Sequence, residues 1–239
     1  MSLLEFRRIV QANGLAVTDE QFALLDRYVG LLLDWNAKIN LISRRDQENV
    51  WFAHLLHSVS PWFFVELGPG LRILDLGTGG GLPGIPLAIL RQDLRLTLLD
   101  SIRKKTDAVR QMAGVLGLAN VDVVVGRAEE AGREGAHRHM YDVVVARAVA
   151  RLSDLAKWSR PLLKKGDLSL AGAVQLGGIS SVRIRIDGPC LLTLKGGDLG
   201  GEVREAVVGG ASVRFVPLVF PGGEQIGLEE KKLLIVTMR

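Results

Sequence analysis

ILDLGTGGGLPGIP, residues 73–86, is the stretch whose reading decides the fold. An apolar run ends at Asp75, glycines follow in the spacing G-x-G-x-G at Gly77, Gly79 and Gly81, and Pro83 or Pro86 can open a helix as a first-turn residue. Strand, tight turn and helix in that order make the first half of a parallel β-α-β unit. Glycines at the bend let the backbone turn sharply and let a ligand lie against it. The helix N-terminus beyond them offers unpaired N–H groups to an anionic or carboxylate-bearing ligand.

Working outward, LRILDL (71–76), LRLTLLD (94–100), VDVVVG (121–126) and YDVVVA (141–146) are short runs rich in Val, Ile and Leu. Continuous apolar runs suit parallel strands covered on both faces. Helical lengths separate them: Pro83 to Arg91, Ile102 to Leu116 and Leu152 to Leu163. VRFVPLVF (213–220) and KKLLIVTMR (231–239) have no helix between them, and Gly222-Gly223 favours a turn, so the sheet is expected to finish as an antiparallel hairpin. The fifth strand has two candidates, DLSLAGA (167–173) and LLTLKGG (191–197); SVRIRID (181–187) alternates and can be a strand of its own. Upstream, Thr18-Asp19-Glu20-Gln21 reads as a capping box, followed by Phe22, Leu25, Val29, Leu32 and Leu33 at helical spacing. Asp46 can cap a further helix through Trp51, Phe52, Leu55 and Leu56, stopped near Pro61. The expected fold class is α/β: a Rossmann-like, mostly parallel sheet ending in an antiparallel hairpin. An N-terminal helical extension covers 1–65, the main domain 66–239, and an insert lies at about 167–190.

Composition sets outer limits. Of 239 residues 48% are hydrophobic and 23% charged, as in ordinary globular proteins, and the net charge of +4 permits a nucleic-acid partner without requiring one. One cysteine, Cys190, excludes an internal disulfide and a cysteine-rich metal site. No run approaches the roughly 18 apolar residues that cross a bilayer. MSLLEFRRIVQANG has no basic-then-apolar signal layout, so a cytoplasmic location and no membrane partner are expected.

The glycine spacing discriminates between nucleotide ligands. A dinucleotide loop places its third glycine three positions after the second; that position here is Leu82. G-x-G-x-G led by Asp75 fits S-adenosylmethionine better, with the acid able to face the ligand's ammonium. Asp100, at the end of the next strand, can accept from both ribose hydroxyls or simply cap a helix. After the third strand, GRAEEA (126–131) puts Ala128 and Glu129 where an adenine edge is contacted, or where a helix starts with acids. Arg147, after the fourth, can pair with a ligand carboxylate or an RNA phosphate, or stand as a surface arginine.

These pieces together resemble the ribosomal RNA small-subunit methyltransferase G family, also called glucose-inhibited division protein B. The resemblance runs in order through WNAKINLIS, HLLHS, LDLGTGGGLPGIPLAI, LLDS, YDVVVARAVARL and LKGGDL, over nearly the whole chain. It implies methyl transfer from S-adenosylmethionine to N7 of a guanosine in 16S ribosomal RNA, with the RNA or the small ribosomal subunit particle as partner. It implies cofactor contacts at Gly77, Leu82, Ala128, Glu129 and Arg147, with Asp100 at the ribose. The chain departs from the family pattern at His57, where an acid is usual, and in the extra residues at 167–190. Because guanine N7 carries a free lone pair and no proton, no general base is expected, only positioning. His54 and His57, one turn apart, lack a third ligand for a metal; stacking, phosphate contact or plain exposure is the expectation for them. RNA-binding candidates are Arg44, Arg45, His54, Arg103, Lys104, Lys105, Arg147, Arg151 and Lys195, while Arg183 and Arg185 join them or face water. A monomer is expected. The rival functions are an NAD-dependent oxidoreductase, a small-molecule methyltransferase and a non-catalytic RNA-binding module.

Overall fold

The computed structural model describes residues 2–133, 135–166, 168, 174–175, 182–223 and 231–238. Two helices open the chain, α1 (Leu3–Ala12) and α2 (Asp19–Asn36). Each starts on a capping box, Ser2 with Glu5 and Thr18 with Gln21, so two orphan backbone donors are met reciprocally at each start. The Gln21 side chain does more: its Nε2 donates to the carbonyls of Ile89 and Leu90 at 2.9 and 3.1 Å, tying α2 to the helix after the glycine loop.

Residues 44–63 wind as short turns rather than the single helix expected from Asp46. A 3-10 turn at Arg44–Asp46, capped by Ser43, precedes a π-helical turn at Trp51–Leu56, α3 (His57–Val59) and a second 3-10 turn at Ser60–Phe63. The Asp46 carboxylate caps none of them; it sits 3.4 Å from Nε2 of His54 instead. A short strand missed in the sequence, β1 (Val65–Leu67), follows.

The main sheet comprises β2 (Arg72–Leu76), β3 (Arg95–Asp100), β4 (Val121–Val125), β5 (Val143–Arg147), β8 (Cys190–Gly196), β9 (Ala211–Pro217) and β10 (Lys231–Met238). Their order is β4-β3-β2-β5-β8-β10-β9. The first five are parallel, and β10 enters antiparallel between β8 and β9. The expected terminal hairpin is therefore present. LLTLKGG supplies the fifth strand; the rival stretch 167–173 lies, except for Leu168, outside the described residues. Central strands β2, β5 and β8 are buried almost throughout, which explains their unbroken apolar sequence.

Helices α4 (Gly84–Leu90), α5 (Arg103–Val115), α6 (Ala128–Ala131) and α7 (Leu152–Ser159) follow β2, β3, β4 and β5 in turn. A further helix that the sequence does not announce, α8 (Gly200–Val208), packs on α7 and β9. A second, three-stranded sheet in the order β1-β7-β6 joins β1 to β6 (Val174–Gln175) and β7 (Val182–Ile186). Within SVRIRID, Val182–Ile186 is thus a strand, parallel to β1 with Val65 opposite Ile184.

The helical segment and the sheet share one core. Phe6, Phe22, Leu25 and Leu32 belong to the same buried cluster as Ile73, Leu96, Val143 and Leu192. The tightest point is Gly84, the first residue of α4: a Cβ there would overlap Leu98 and come within 2.7 Å of Oδ2 of Asp75. Overpacking of this kind costs about 1–3 kcal/mol. Gly84→Ala is expected to lower stability by that amount in urea unfolding; an unchanged midpoint would contradict the packing described.

Candidate active site

The glycine loop owes its shape to a carboxylate underneath it. Asp75 ends inside β2 with 0% exposure, and its Oδ2 accepts from Thr78 Oγ1 at 2.6 Å and from the Gly84 N–H at 2.9 Å. One oxygen thereby joins both ends of the bend. Burial raises the Asp75 pKa to about 6, against the lowering effect of those two donors. The expectation that Asp75 faces a ligand's ammonium is corrected: the side chain lies beneath the loop and does not line the cleft. A strand-end acid pointing inward can bond the turn's own hydroxyl and N–H, as Oδ2 does here, while Oδ1 has no partner among the described residues.

Above the loop is a cleft of about 500 Å³ at the carboxyl ends of β2 to β5, where ligands gather in open α/β sheets. The backbone at Gly77, Gly79 and Gly80 forms its floor, Asp100 and Gly126 to Glu129 one flank, and Arg147 the opposite wall. Gly79 has φ +58°, and a Cβ there would meet nothing within 4 Å, so this glycine presents its backbone to open space. Gly80 is glycine for another reason: a Cβ would come 2.8 Å from Leu32 of α2. Asp100 Oδ2 accepts from the Gly79 N–H and Oδ1 from the Ile102 N–H, both at 2.9 Å, which fixes the carboxylate at the cleft's edge. Asp100 faces the cleft and bonds the chain just ahead of α5, but it does not cap that helix, whose N-cap residue is Ile102. Gly77, Gly79, Leu82, Asp100, Ala128, Glu129 and Arg147 are all brought to this one cleft.

Arg147 is no surface arginine. Its Nη2 lies 2.9 Å from Nδ1 of His54, and its Nη1 3.4 Å from Nδ1 of His57 and 3.3 Å from the Ala53 carbonyl. A guanidinium only donates, so both Nδ1 atoms accept and each imidazole carries its proton on Nε2. His54 therefore sits neutral between Arg147 and Asp46, its Nε2 3.4 Å from the carboxylate without a hydrogen bond, and its side chain is 11% exposed, not the exposed residue considered above. Burial first, then the Arg147 charge, lowers the His54 pKa to about 4 and the His57 pKa to about 3, with Lys231 adding to the effect at His57. Burial likewise lowers the Arg147 pKa from its ordinary value.

Other candidates separate. Arg44, Arg45, Arg103 and Lys104 are exposed near the cleft, while Lys105 lines it. Lys195 is withdrawn: its Nζ donates to Glu202 at 2.9 Å and to the Ala150 carbonyl at 2.5 Å, both partly buried. Arg151 is exposed but paired with Glu205 at 2.8 Å. Arg183 is 3% exposed, far from facing water, and Arg185 pairs with Asp187 at 2.6 Å. Leu41, Ile42 and Ser43 line the cleft and were not anticipated. The signal lay in WNAKINLIS, where buried Asn36 Oδ1 accepts from the N–H groups of Leu41 and Ile42 at 2.8 and 2.9 Å and folds that segment over the cleft. Among the described residues, no group of three His, Cys, Asp or Glu is placed to hold a metal.

The histidines set a pH dependence. Each binds a proton near pH 6.5 when unfolded but only near pH 4 or 3 when folded, so their stability contribution is present above 6.5 and lost as pH falls. Asp75 acts oppositely between 3.8 and about 6, because the folded state holds its proton longer. Two groups outweigh one. Urea midpoints are expected to rise from pH 5 to pH 7, and the His54→Gln/His57→Gln double variant is expected to lose that rise. A variant that keeps the wild-type slope would contradict the buried, neutral imidazoles.

Comparison with known proteins agrees with this architecture. The profile of the family described as rRNA small subunit methyltransferase G matches residues 21–175. The ribosomal RNA small subunit methyltransferase G of Rubrobacter xylanophilus is 38% identical over 231 residues, covering 97% of this chain and 81% of that protein. The protein of the same name from Deinococcus radiodurans is 42% identical over 201 residues, 83% and 75% of the two chains. Among solved structures, the CurJ carbon methyltransferase superposes with a TM-score of 0.55 at 11% identity, over 98% of this chain and 70% of that one, a likeness of fold alone. With the profile spanning the helical segment, the glycine loop and the cleft's flanks, and close relatives matching over most of their length, the chain belongs to the rRNA small subunit methyltransferase G family.

Proposed function

We propose that the chain transfers a methyl group from S-adenosylmethionine to N7 of a guanosine in 16S ribosomal RNA, presented in the free RNA or the small ribosomal subunit. The single observation that carries the reading is the pairing of Asp100 with the open backbone at Gly79 across one cleft. A nucleoside with an amino-acid tail fits the carboxylate and glycine backbone that line this cleft and the roughly 500 Å³ available. Asp100 would hold the ribose hydroxyls, the Ala128-Glu129 turn the adenine edge, and the loop backbone at Gly77 to Gly79 the amino-acid end. Bound there, S-adenosylmethionine would supply an electrophilic methyl group on a sulfonium.

The chain's own share of the work is alignment. Guanine N7 needs no deprotonation, and the two histidines near the cleft are both engaged by Arg147 rather than free to take a proton. Arg147 keeps its charge without a directly bonded carboxylate and can meet an RNA phosphate at the wall opposite Asp100. Exposed Arg44, Arg45, Arg103 and Lys104 near the mouth would carry further phosphate contacts, so RNA binding should weaken steeply with salt.

The test is transfer of radiolabelled methyl from S-adenosylmethionine to small subunits from cells lacking this activity, with N7 located by strand scission at the modified base. Wild-type protein is expected to label one guanosine, and Asp100→Ala to raise KM for the cofactor at least tenfold, consistent with losing hydrogen bonds to a charged group. Labelling at a position other than guanine N7, or none at all, would sink the proposal.

A further inference from the structure

A second cavity, about 440 Å³ in volume, opens between the α1–α2 connection, β1, the end of α4 and β7. It shares no lining residue with the cleft above the glycine loop. Its walls are mostly apolar, from Leu15, Trp62, Val65, Leu67, Leu87 and Leu90. Three charged side chains break that surface: Glu66, Arg91 and Arg183.

Arg183 is the unusual one. The pairing of β7 with β1 brings it inward until it is 3% exposed. Its Nη2 donates to the Gly14 carbonyl at 2.6 Å, and its Nη1 lies 3.4 Å from Glu66. Its Nε–H finds no acceptor among the described residues, and neither does the buried Nε1–H of Trp62. Two residues that line one mostly apolar space thus each hold a buried donor without an acceptor. A buried donor left unmet is costly, and an arriving acceptor recovers that cost.

Charge points the same way. Glu66 is the sole carboxylate on the described walls and is shared by two guanidiniums, at 3.4 and 3.5 Å, too long for a close pair with either. The closer partner of Arg91, Asp93 at 2.7 Å, is not among the wall residues. The lining thus has an excess of donors and of positive charge over a hydrocarbon surface. We propose that this cavity binds an aliphatic carboxylate, its head group accepting from Arg183 and Trp62 and its chain lying along Leu67, Leu87 and Leu90. Arg183 is carried by β7, while the rest of the lining comes from residues 14–91.

Calorimetric titration of the full chain with sodium octanoate tests this, with octan-1-ol as the uncharged counterpart. Saturable binding of one octanoate per chain is expected, at least tenfold tighter than octan-1-ol and undiminished by saturating S-adenosylhomocysteine. Arg183→Met is expected to weaken octanoate at least tenfold. Because that change also removes the contact to Gly14, Ala16→Trp at the exposed rim provides a second variant; it should block octanoate while leaving the melting temperature unchanged. No saturable binding, equal affinity for octan-1-ol, displacement by S-adenosylhomocysteine, or octanoate affinity unchanged in Ala16→Trp would each overturn the proposal. None of these outcomes bears on methyl transfer, which is read at the other cavity.

Discussion

A carboxylate with no exposure to water holds the bend on which the cleft is built. Asp75 Oδ2 accepts one hydrogen bond from the Thr78 hydroxyl and another from the Gly84 amide, so the loop between them is fixed at both ends by a single atom. A second carboxylate, Asp100, takes the Gly79 amide from the neighbouring strand. Between them the loop has little freedom left, and its exposed backbone is already in place before any ligand arrives. Such preorganisation matters most for a reaction whose barrier is met by alignment rather than by proton transfer.

The opposite wall solves a different problem. A guanidinium partly enclosed by protein is expensive unless its hydrogen bonds are met. Here Ala53, His54 and His57 meet them with neutral acceptors, and the positive charge survives for use in the cleft. The carboxylate on that side, Asp46, lies beyond the His54 ring, 3.4 Å from its Nε2.

Much of the fold was legible because its signals are local. Continuous Val, Ile and Leu runs mark β2 to β5, and Thr18 with Gln21 marks the start of α2 within one turn of chain. What escaped depends on partners distant in sequence. β1 is three residues long and exists because β7 pairs with it more than a hundred positions later. Asp46 reads as a cap until His54 is seen beside it, and Asp75 reads as a ligand contact until Gly84 is seen to claim it. Cleft residues with a strand-end or turn signature, Gly77, Gly79, Asp100 and Arg147, could be named in advance. Leu41 and Ile42 could not, since what brings them there is a side-chain bond from Asn36.

Gly80 links these two halves of the molecule. Its missing side chain is the space into which Leu32 and Leu41 press, and Tyr28 from the same helix donates to its carbonyl at 2.9 Å. The N-terminal helices are accordingly a mould against which the cofactor loop is cast. Over evolutionary time, then, Leu32, Leu41 and the loop cannot drift independently: a bulkier residue on one side obliges a smaller one on the other.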